Sequence, residues 1–335
     1  MRDVISRSST ASRIAAPIAI LLIALLVSAP WLSSIATERL IGEFMVYLAL
    51  ATLWNLLAGY TGLVSVGQQA YVGFGAYILF SLGILAGWNP LYAVPLAGLS
   101  AALIAIPVAA LVFRLQGAYF AIGTWVMAEV FRLLFSQLAV LGGGSGISLP
   151  AATIKLISEN KFWREATIYW LALALGLGAL LLVYALLRSR LGLALTAIRD
   201  NETASVSLGI RIIRIKFAVY VFVAGMTGMV GALIGLQKIR ISPDAAFSVN
   251  DWTAFVIFIV VIGGIGTIEG PIIGTLVYFL LREFLADLGS IYLMILGLLA
   301  IIIMLLAPKG LSGFVQARFN ISLFPTGYRV VAEDD

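Results

Sequence analysis

Residues 44–113 decide the fold of this chain. They read FMVYLALATLWNLLAGYTGLVSVGQQAYVGFGAYILFSLGILAGWNPLYAVPLAGLSAALIAIPVAALVF and contain no charged residue. One helical crossing of a membrane needs about 20 apolar residues, so the stretch is long enough for three crossings. The turn sequences GYTG at 59–62 and GWNP at 87–90 divide it accordingly. The stretch therefore predicts three consecutive transmembrane helices.

The whole chain has the same apolar character. Of its 335 residues, 62% are hydrophobic and 11% are charged, whereas roughly 25% are charged in soluble proteins. The mean hydropathy is +1.08. A single soluble core stops growing at about 250–300 residues and could not bury this much apolar surface, so a soluble enzyme is excluded. The same apolar composition excludes a disordered chain and a coiled coil. We predict an all-α polytopic membrane protein whose apolar side chains are solvated by lipid.

Gaps between charged residues predict about ten transmembrane helices. They lie near residues 14–32, 39–58, 63–86, 90–113, 118–140, 166–187, 215–237, 252–268, 271–287 and 290–307. The first one resembles a signal peptide, because Arg2, Arg7 and Arg13 precede it and Val27-Ser28-Ala29 resembles a cleavage site. However, Pro30 would follow the cut and the apolar stretch continues beyond it. We therefore expect an uncleaved helix.

The basic residues set the orientation of these helices. The loop 188–216 contains Arg188, Arg190, Arg199, Arg211, Arg214 and Lys216. Loops rich in Lys and Arg remain in the cytoplasm, so this loop is predicted to be cytoplasmic. With ten spans, both chain ends then face the cytoplasm too. The predicted organisation is an N-terminal arm of residues 1–13, a transmembrane domain of residues 14–307 and a tail of residues 308–335.

The composition leaves little chemistry to the chain itself. It has no Cys and no His, which removes disulfides, thiolate metal sites and the commonest general base. No acids and bases cluster, so a membrane-embedded enzyme is the least supported function, and we predict no catalytic residue and no metal site. The basic residues are not interleaved with exposed aromatics, which argues against nucleic-acid binding. No Gly-Lys-Ser or Gly-Lys-Thr occurs, so any ATP must be bound by another subunit.

Two glycine-rich segments suggest internal symmetry. Five predicted helices precede residue 166 and five follow, so the two halves would be inverted repeats. The third helix carries glycines between 62 and 75, and the eighth carries glycines from 263 that continue to 274. Interrupted helices at matching positions of two halves are typical of transporters, although small residues also simply allow close helix packing. For both clusters together we favour a transport path.

Glu129 and Arg132 are the clearest ionisable pair inside a predicted helix. A spacing of three places them on one face. An unpaired charge at the bilayer centre costs about 2.5–3.5 kcal/mol, so the two either line a pathway or neutralise each other as a structural pair. An ion-coupled carrier usually has more buried carboxylates than this. A sodium site built from backbone carbonyls remains an alternative.

The cytoplasmic stretch 199–210 predicts a short, well-delimited helix. Asp200 or Asn201 can cap it, and Glu202 then lies in the first turn, where it favours the helix dipole. Gly209 is a natural C-terminal stop. Ala204 and Leu208, four residues apart, share one face. The segment is either a docking element for a cytosolic partner or a solvated linker. The outer segment 142–165 is likewise either a partner contact or a flexible connector.

Five motifs now carry a resemblance to a known family. They occupy residues 62–77, 114–132, 197–210, 263–271 and 307–313. In this order and spacing they resemble permease subunits of high-affinity branched-chain amino acid ABC importers, of the LivM type. The family typically has His at the position of Gln69. The resemblance covers about residues 40–315.

The resemblance implies the fold of type II ABC importer permeases, with two inverted five-helix halves, in the bacterial inner membrane. The implied partners are a homologous second permease, two cytosolic ATP-binding subunits, which bind the ATP, and a periplasmic substrate-binding protein; the chain itself would need no cofactor. The loop after the sixth span would contact the ATPase through Arg199, Asp200, Asn201, Glu202, Ala204, Leu208 and Gly209. The candidate path residues are Gln68, Gln69, Thr124, Glu129, Arg132, Gly263, Gly264 and Gly266.

The expected function is thus a non-catalytic translocation subunit for branched-chain amino acids. A closely related alternative is the same kind of subunit for urea, another amide or a sugar, because the binding protein largely sets specificity in this group. An alternative of a different class is an ion-coupled secondary transporter that works alone.

Overall fold

The structure is a computed structural model that describes residues 3–6, 10–285, 291–307, 309–319 and 329–332. These residues are almost entirely helical. The helices are α1 (Thr10–Leu32), α2 (Ile35–Asn55), α3 (Gln68–Leu85), α4 (Pro90–Val112), α5 (Ala118–Ser136), α6 (Ala151–Lys155), α7 (Lys161–Arg188), α8 (Arg190–Asp200), α9 (Glu202–Ser207), α10 (Ile212–Lys238), α11 (Pro243–Ala246), α12 (Phe255–Gly263), α13 (Glu269–Leu285), α14 (Ile291–Leu306) and α15 (Gly310–Phe319). Single π-helical turns follow α2 at Leu56–Tyr60 and precede α12 at Asn250–Ala254. The strands are β1 (Asp3–Ser6), β2 (Ile147–Ser148), β3 (Arg240–Ile241) and β4 (Arg329–Ala332).

Within the described residues, eight helical segments are long and apolar enough to cross a membrane. They are Ile35–Tyr60, Gln68–Leu85, Pro90–Val112, Ala118–Ser136, Lys161–Arg188, Ile212–Lys238, Pro243–Gly263 and Ile291–Phe314. An all-α polytopic membrane protein is therefore confirmed. The first predicted span coincides with a shorter apolar helix, Pro17–Leu32, and the ninth with α13, which has 17 residues. The count of ten stays a prediction.

Several helix ends differ from the predicted spans, and in the third and eighth helices this is because glycines interrupt the backbone. The third helix begins at Gln68 rather than 63, after Gly62, whose φ is 70°. The eighth ends at Gly263 rather than 268, since Gly264 has a φ of 125°. The fifth ends at Ser136 rather than 140. Residues 286–287 and 290 of the last two predicted spans, and parts of the predicted arm and tail, lie outside the described residues.

Helix α10 packs between α3 and α4 with its backbone close to theirs. A Cβ atom on Gly75 or Gly231 would overlap backbone of the facing helix, at Gly228 and Val72 respectively. Small residues allow such close approach, which maximises van der Waals contact where lipid provides no hydrophobic driving force. These three helices therefore form one tightly joined unit.

Helix α2 is the most buried of the long helices and packs against α7, α10, α12 and α13. Its inner half is lined by apolar side chains with almost no exposure, among them Leu50, Leu53 and Trp54. By contrast, α5 and α14 expose most of their surface. Exposed apolar helices of a membrane protein face lipid or another subunit.

Two small antiparallel strand pairs join distant parts of the chain. β2 pairs with β3, with Ile147 opposite Ile241. β1 pairs with β4, with Asp3 opposite Ala332, which brings the two ends of the chain together.

Candidate functional site

The second glycine-rich segment contacts the chain where α2 ends. Asn55, the last residue of α2, is buried and uses both ends of its side-chain amide. Its Nδ2 donates to the carbonyl of Thr267 at 2.7 Å, and its Oδ1 accepts from the backbone N–H of Gly266 at 2.8 Å. We call this pair of bonds the Asn55 latch. It fixes the loop 264–268 to the end of α2.

Glycine is required on both sides of the latch. A Cβ on Gly59, in the π-turn after α2, would lie 2.5 Å from the backbone nitrogen of Gly266. Gly264 and Gly266 both have positive φ, at 125° and 77°, which L side chains rarely adopt. The glycines predicted from the sequence thus allow two backbone segments to touch.

The motif at 307–313 holds the same loop from the other side. The hydroxyl groups of Thr267 and Ser312 share a hydrogen bond of 2.8 Å, and Thr267 also donates to the carbonyl of Gly264 at 2.9 Å. Through these bonds α15 is attached to the loop. Pro308 of this motif lies outside the described residues.

A second polar group lies where α3 begins, in the predicted path. Gln69 is buried, and its Oε1 accepts a hydrogen bond from the hydroxyl of Thr253. Thr124 of α5 accepts from the backbone N–H of Val66 at 3.1 Å. The Nε2 of Gln68 is buried and has no hydrogen-bond partner among the described residues. These groups provide polar atoms inside an otherwise apolar core.

Glu129 and Arg132 form the predicted pair, and a third residue joins them. The Nε of Arg132 donates to Glu129 at 2.9 and 3.0 Å, and its Nη2 donates at 2.6 Å. Its Nη1 donates to Asp244 of α11 at 2.6 Å. The side chains of Glu129 and Arg132 are 45% and 29% exposed, so the pair lies at the surface of the bundle. It ties α5 to α11 and lies apart from the Asn55 latch.

The segment between α7 and α10 contains two helices rather than one. Asp200 ends α8, and Asn201 caps α9 by accepting the N–H of Ala204 at 2.9 Å. Gly209 has a φ of 79° and follows the end of α9, as the sequence predicted. Ala204 and Leu208 are both exposed. The predicted apolar face is therefore accessible.

Two charges of this segment are directed at the chain itself. Glu202 pairs with Lys216 of α10 at 2.9 Å. The guanidinium carbon of Arg199 lies 5.8 Å from the centre of the Tyr60 ring, in the π-turn after α2. Tyr60 follows Asn55 by one turn and a half, so Arg199 is next to the Asn55 latch. The structure thereby brings together a predicted coupling residue, Arg199, and a predicted path residue, Gly266.

Sequence reasoning missed several polar residues of these sites. Asn55, Tyr60 and Thr253 carry the contacts just described, and Glu43 pairs with Arg282 at 2.8 Å between α2 and α13. A signal for Asn55 was present, because an amide inside an uncharged span needs partners. The partner itself lies more than 200 residues away, which no local pattern reveals. In the described part of the chain, no three His, Cys, Asp or Glu residues are grouped to hold a metal ion.

Comparison with known proteins gives a consistent set of relatives. The family described as branched-chain amino acid transport system / permease component matches residues 36–307. The chain is 31% identical to the high-affinity branched-chain amino acid transport system permease protein LivM of Escherichia coli K12, over 90% of this chain and 76% of the relative. The corresponding protein of Salmonella typhimurium is 30% identical over the same shares.

A more distant relative is archaeal. The probable branched-chain amino acid transport permease protein LivM of Methanocaldococcus jannaschii is 24% identical over 72% of this chain and 79% of the relative. No solved structure matches the chain.

Proposed function

Because the chain belongs to the family of branched-chain amino acid transport system permease components, we propose that it is the membrane-spanning permease subunit of an ATP-driven importer for branched-chain amino acids. The observation that carries the proposal is the family match over residues 36–307, which includes nearly all of the long apolar helices. The related proteins carry this substrate in their names.

A permease of this family works with other transporter subunits. The proposed partners are a homologous second permease, two cytosolic ATP-binding subunits and a periplasmic substrate-binding protein. The exposed apolar surfaces of α5 and α14 offer area for contact within the membrane. The chain would be non-catalytic and hold no cofactor, with ATP bound and hydrolysed by its partners.

The proposed coupling site is the segment α8–α9. Its exposed Ala204 and Leu208 would contact an ATP-binding subunit. A displacement of α8 would move Arg199 against Tyr60 and so reach the end of α2 and the Asn55 latch. This chain of contacts gives ATP-driven motion a physical route to the loop 264–268. It supports the proposal that this loop belongs to the gated path.

We also propose ten spans in two inverted halves, in the bacterial inner membrane with cytoplasmic ends. The packing is reciprocal: α10 of the second half packs on α3 and α4, and α2 of the first half packs on α12 and α13. The pairing of β1 with β4 supports an even number of crossings, because it requires both chain ends on the same side.

The coupling proposal is tested by the change Ala204→Asp. A charge buried in a partner contact costs 2 kcal/mol or more at a central position, so assembly with the ATP-binding subunit should weaken by roughly tenfold or more. Substrate-stimulated ATP hydrolysis in reconstituted vesicles should fall with it. The matched control is Ala86→Asp, a change at an exposed alanine in the loop between α3 and α4, which should leave assembly and ATP hydrolysis unchanged.

Uptake of radiolabelled leucine by the assembled importer tests the substrate. Competition by excess isoleucine and valine, but not by urea or glucose, is the expected result. Normal assembly and uptake in the Ala204→Asp variant would show that α9 is only a linker. Uptake of urea or glucose in place of leucine would contradict the substrate.

A further inference from the structure

A cavity of about 250 Å³ lies between the first half of α2, the start of α7 and the end of α10. Its wall includes Glu38, Glu43, Glu165 and Lys238. Glu43 precedes Asn55 by twelve residues on α2, so the cavity is about 18 Å along the helix axis from the Asn55 latch. It is therefore separate from the Asn55 latch.

Most of the acidic groups in this cavity are paired. Glu43 accepts two hydrogen bonds from Arg282, at 2.8 and 2.9 Å. Glu165 pairs with Arg39 at 3.3 Å. Glu38 is different: it is only 6% exposed, and its carboxylate makes no hydrogen bond or ion pair with any residue that the structure describes. A buried carboxylate without a partner is unfavourable, so this position favours a cationic group.

A cation lies on another wall of the same cavity. The Nζ of Lys238 is 4.8 Å from the centre of the Trp252 ring, and both residues line the cavity. The ring face attracts the ammonium group and positions it. Lys238 makes no ion pair with a described residue, so its charge is available to an anion. The cavity thus presents one carboxylate and one ammonium that make no direct ion pair with a described residue, although the guanidinium of Arg39, which also lines the cavity, is close enough to attract the charge of Glu38.

We propose that this cavity binds a small zwitterion, with its ammonium group at Glu38 and its acidic group at Lys238. A free α-amino acid carries this pair of charges, and so does the headgroup of an ethanolamine phospholipid. Part of the cavity wall is apolar and suits an aliphatic side chain; it is formed by Val46, Ile168 and Ile234. The choice of an amino acid as the bound molecule rests on the proposed function, and the cavity would then be a binding site for the transported substrate.

The first arm of the test uses the full chain in nanodiscs of phosphatidylglycerol, which contain no ethanolamine. Three probes are titrated: L-leucine, 3-methylbutylamine, which lacks the carboxylate, and 4-methylpentanoate, which lacks the ammonium. Glu38→Gln should weaken binding of L-leucine and of the amine by about tenfold or more, and leave the acid unchanged. Lys238→Gln should weaken L-leucine and the acid, and leave the amine unchanged.

Two control variants carry the same changes on exposed residues outside the cavity. Glu159→Gln and Lys161→Gln should bind all three probes like the unmodified chain. Gel filtration and thermal unfolding check that each variant is folded. Lys238 is exposed, so Lys238→Gln keeps the test decisive even where Glu38→Gln does not fold.

The second arm identifies a lipid occupant. The chain is purified from membranes containing phosphatidylethanolamine and phosphatidylglycerol, and retained lipid is measured by native mass spectrometry. Retention of the ethanolamine lipid that is lost in both cavity variants would assign the headgroup as the zwitterion. Binding of L-leucine in the first arm would assign the amino acid.

The proposal is overturned where neither zwitterion binds, or where both variants bind like the unmodified chain. Leucine uptake by the assembled importer separates this result from a failure of the proposed function. If leucine uptake is normal but no zwitterion binding depends on Glu38, the cavity is not a binding site and the proposed function still stands. If retention of ethanolamine lipid depends on Glu38 but the importer takes up no leucine, the cavity site stands and the proposed function is wrong.

Discussion

The Asn55 latch should contribute strongly to stability. Among the asparagines that the structure describes, we expect no other side chain to contribute as much through its hydrogen bonds. Asn55→Ala removes the donor to Thr267 and the acceptor for Gly266 at once. Asn55 itself is 2% exposed, so water cannot readily replace the lost bonds. A fully buried backbone group left without a partner costs about 1–3 kcal/mol; because Gly266 and Thr267 are half-buried, the free energy of unfolding should fall by roughly 2–4 kcal/mol.

Asn89 provides a matched control for this change. Its side chain also makes one donated and one accepted bond, to the carbonyl of Leu156 at 2.8 Å and from the N–H of Leu91 at 3.0 Å. It lies at the surface end of α4, where water can replace both partners. Asn89→Ala should therefore cost about 1 kcal/mol, the usual value for a lost helix cap.

Unfolding of the purified chain by SDS in mixed micelles measures both variants against the unmodified protein. Asn55→Ala should also lower leucine uptake by the assembled importer, because the loop 264–268 is no longer fixed to α2. A loss in Asn55→Ala no larger than that in Asn89→Ala would refute the reasoning, since the latch would then be replaced by solvent or by other groups.

Three further expectations concern packing, charge and topology. Gly75→Ala should cost about 1–3 kcal/mol, because its Cβ meets the backbone of Gly228, whereas Gly178→Ala in α7 meets nothing within 4 Å and should be neutral or stabilising in thermal unfolding. Glu129→Gln should lower the free energy of unfolding by under about 1 kcal/mol, because Arg132 keeps its ion pair with Asp244. Replacing Glu129 and Asp244 together should cost more than the sum of the two single changes, and strict additivity would contradict this. Tags at both chain ends should be accessible from the cytoplasm only, and labelling of either one from outside would contradict the proposed orientation.

The sequence predicted the fold class because each long uncharged stretch has one stable solution in lipid, a helix. It placed most helices within a few residues for the same reason. Two of its errors are the start of the third helix at Gln68 and the end of the eighth at Gly263, where Gly62 and Gly264 have positive φ angles. The absence of charged residues cannot distinguish an apolar loop buried among helices from the helix that it continues, because both are apolar.

The candidate site was recoverable only in part. Local chemistry predicted a cap at Asp200 or Asn201 and a stop at Gly209; the structure has Asn201 as the cap and confirms the stop. The pair of Glu129 and Arg132 follows from helical spacing. The contact of Arg199 with Tyr60 depends instead on how α8 folds back onto the bundle, which no local pattern contains. The roles of these residues in coupling and transport stay predictions.

The separation of Asn55 from its partners has a consequence for biosynthesis. Gly266 follows Asn55 by 211 residues. At a translation rate of about 5–20 residues per second, Asn55 waits roughly 10–40 s after its own synthesis before Gly266 is made. During that time the polar amide of Asn55, at the end of the newly inserted helix α2, has neither its final hydrogen-bond acceptor nor its final donor. Until the second half of the chain emerges, its hydrogen bonds must therefore be made to other groups, such as water or the insertion machinery.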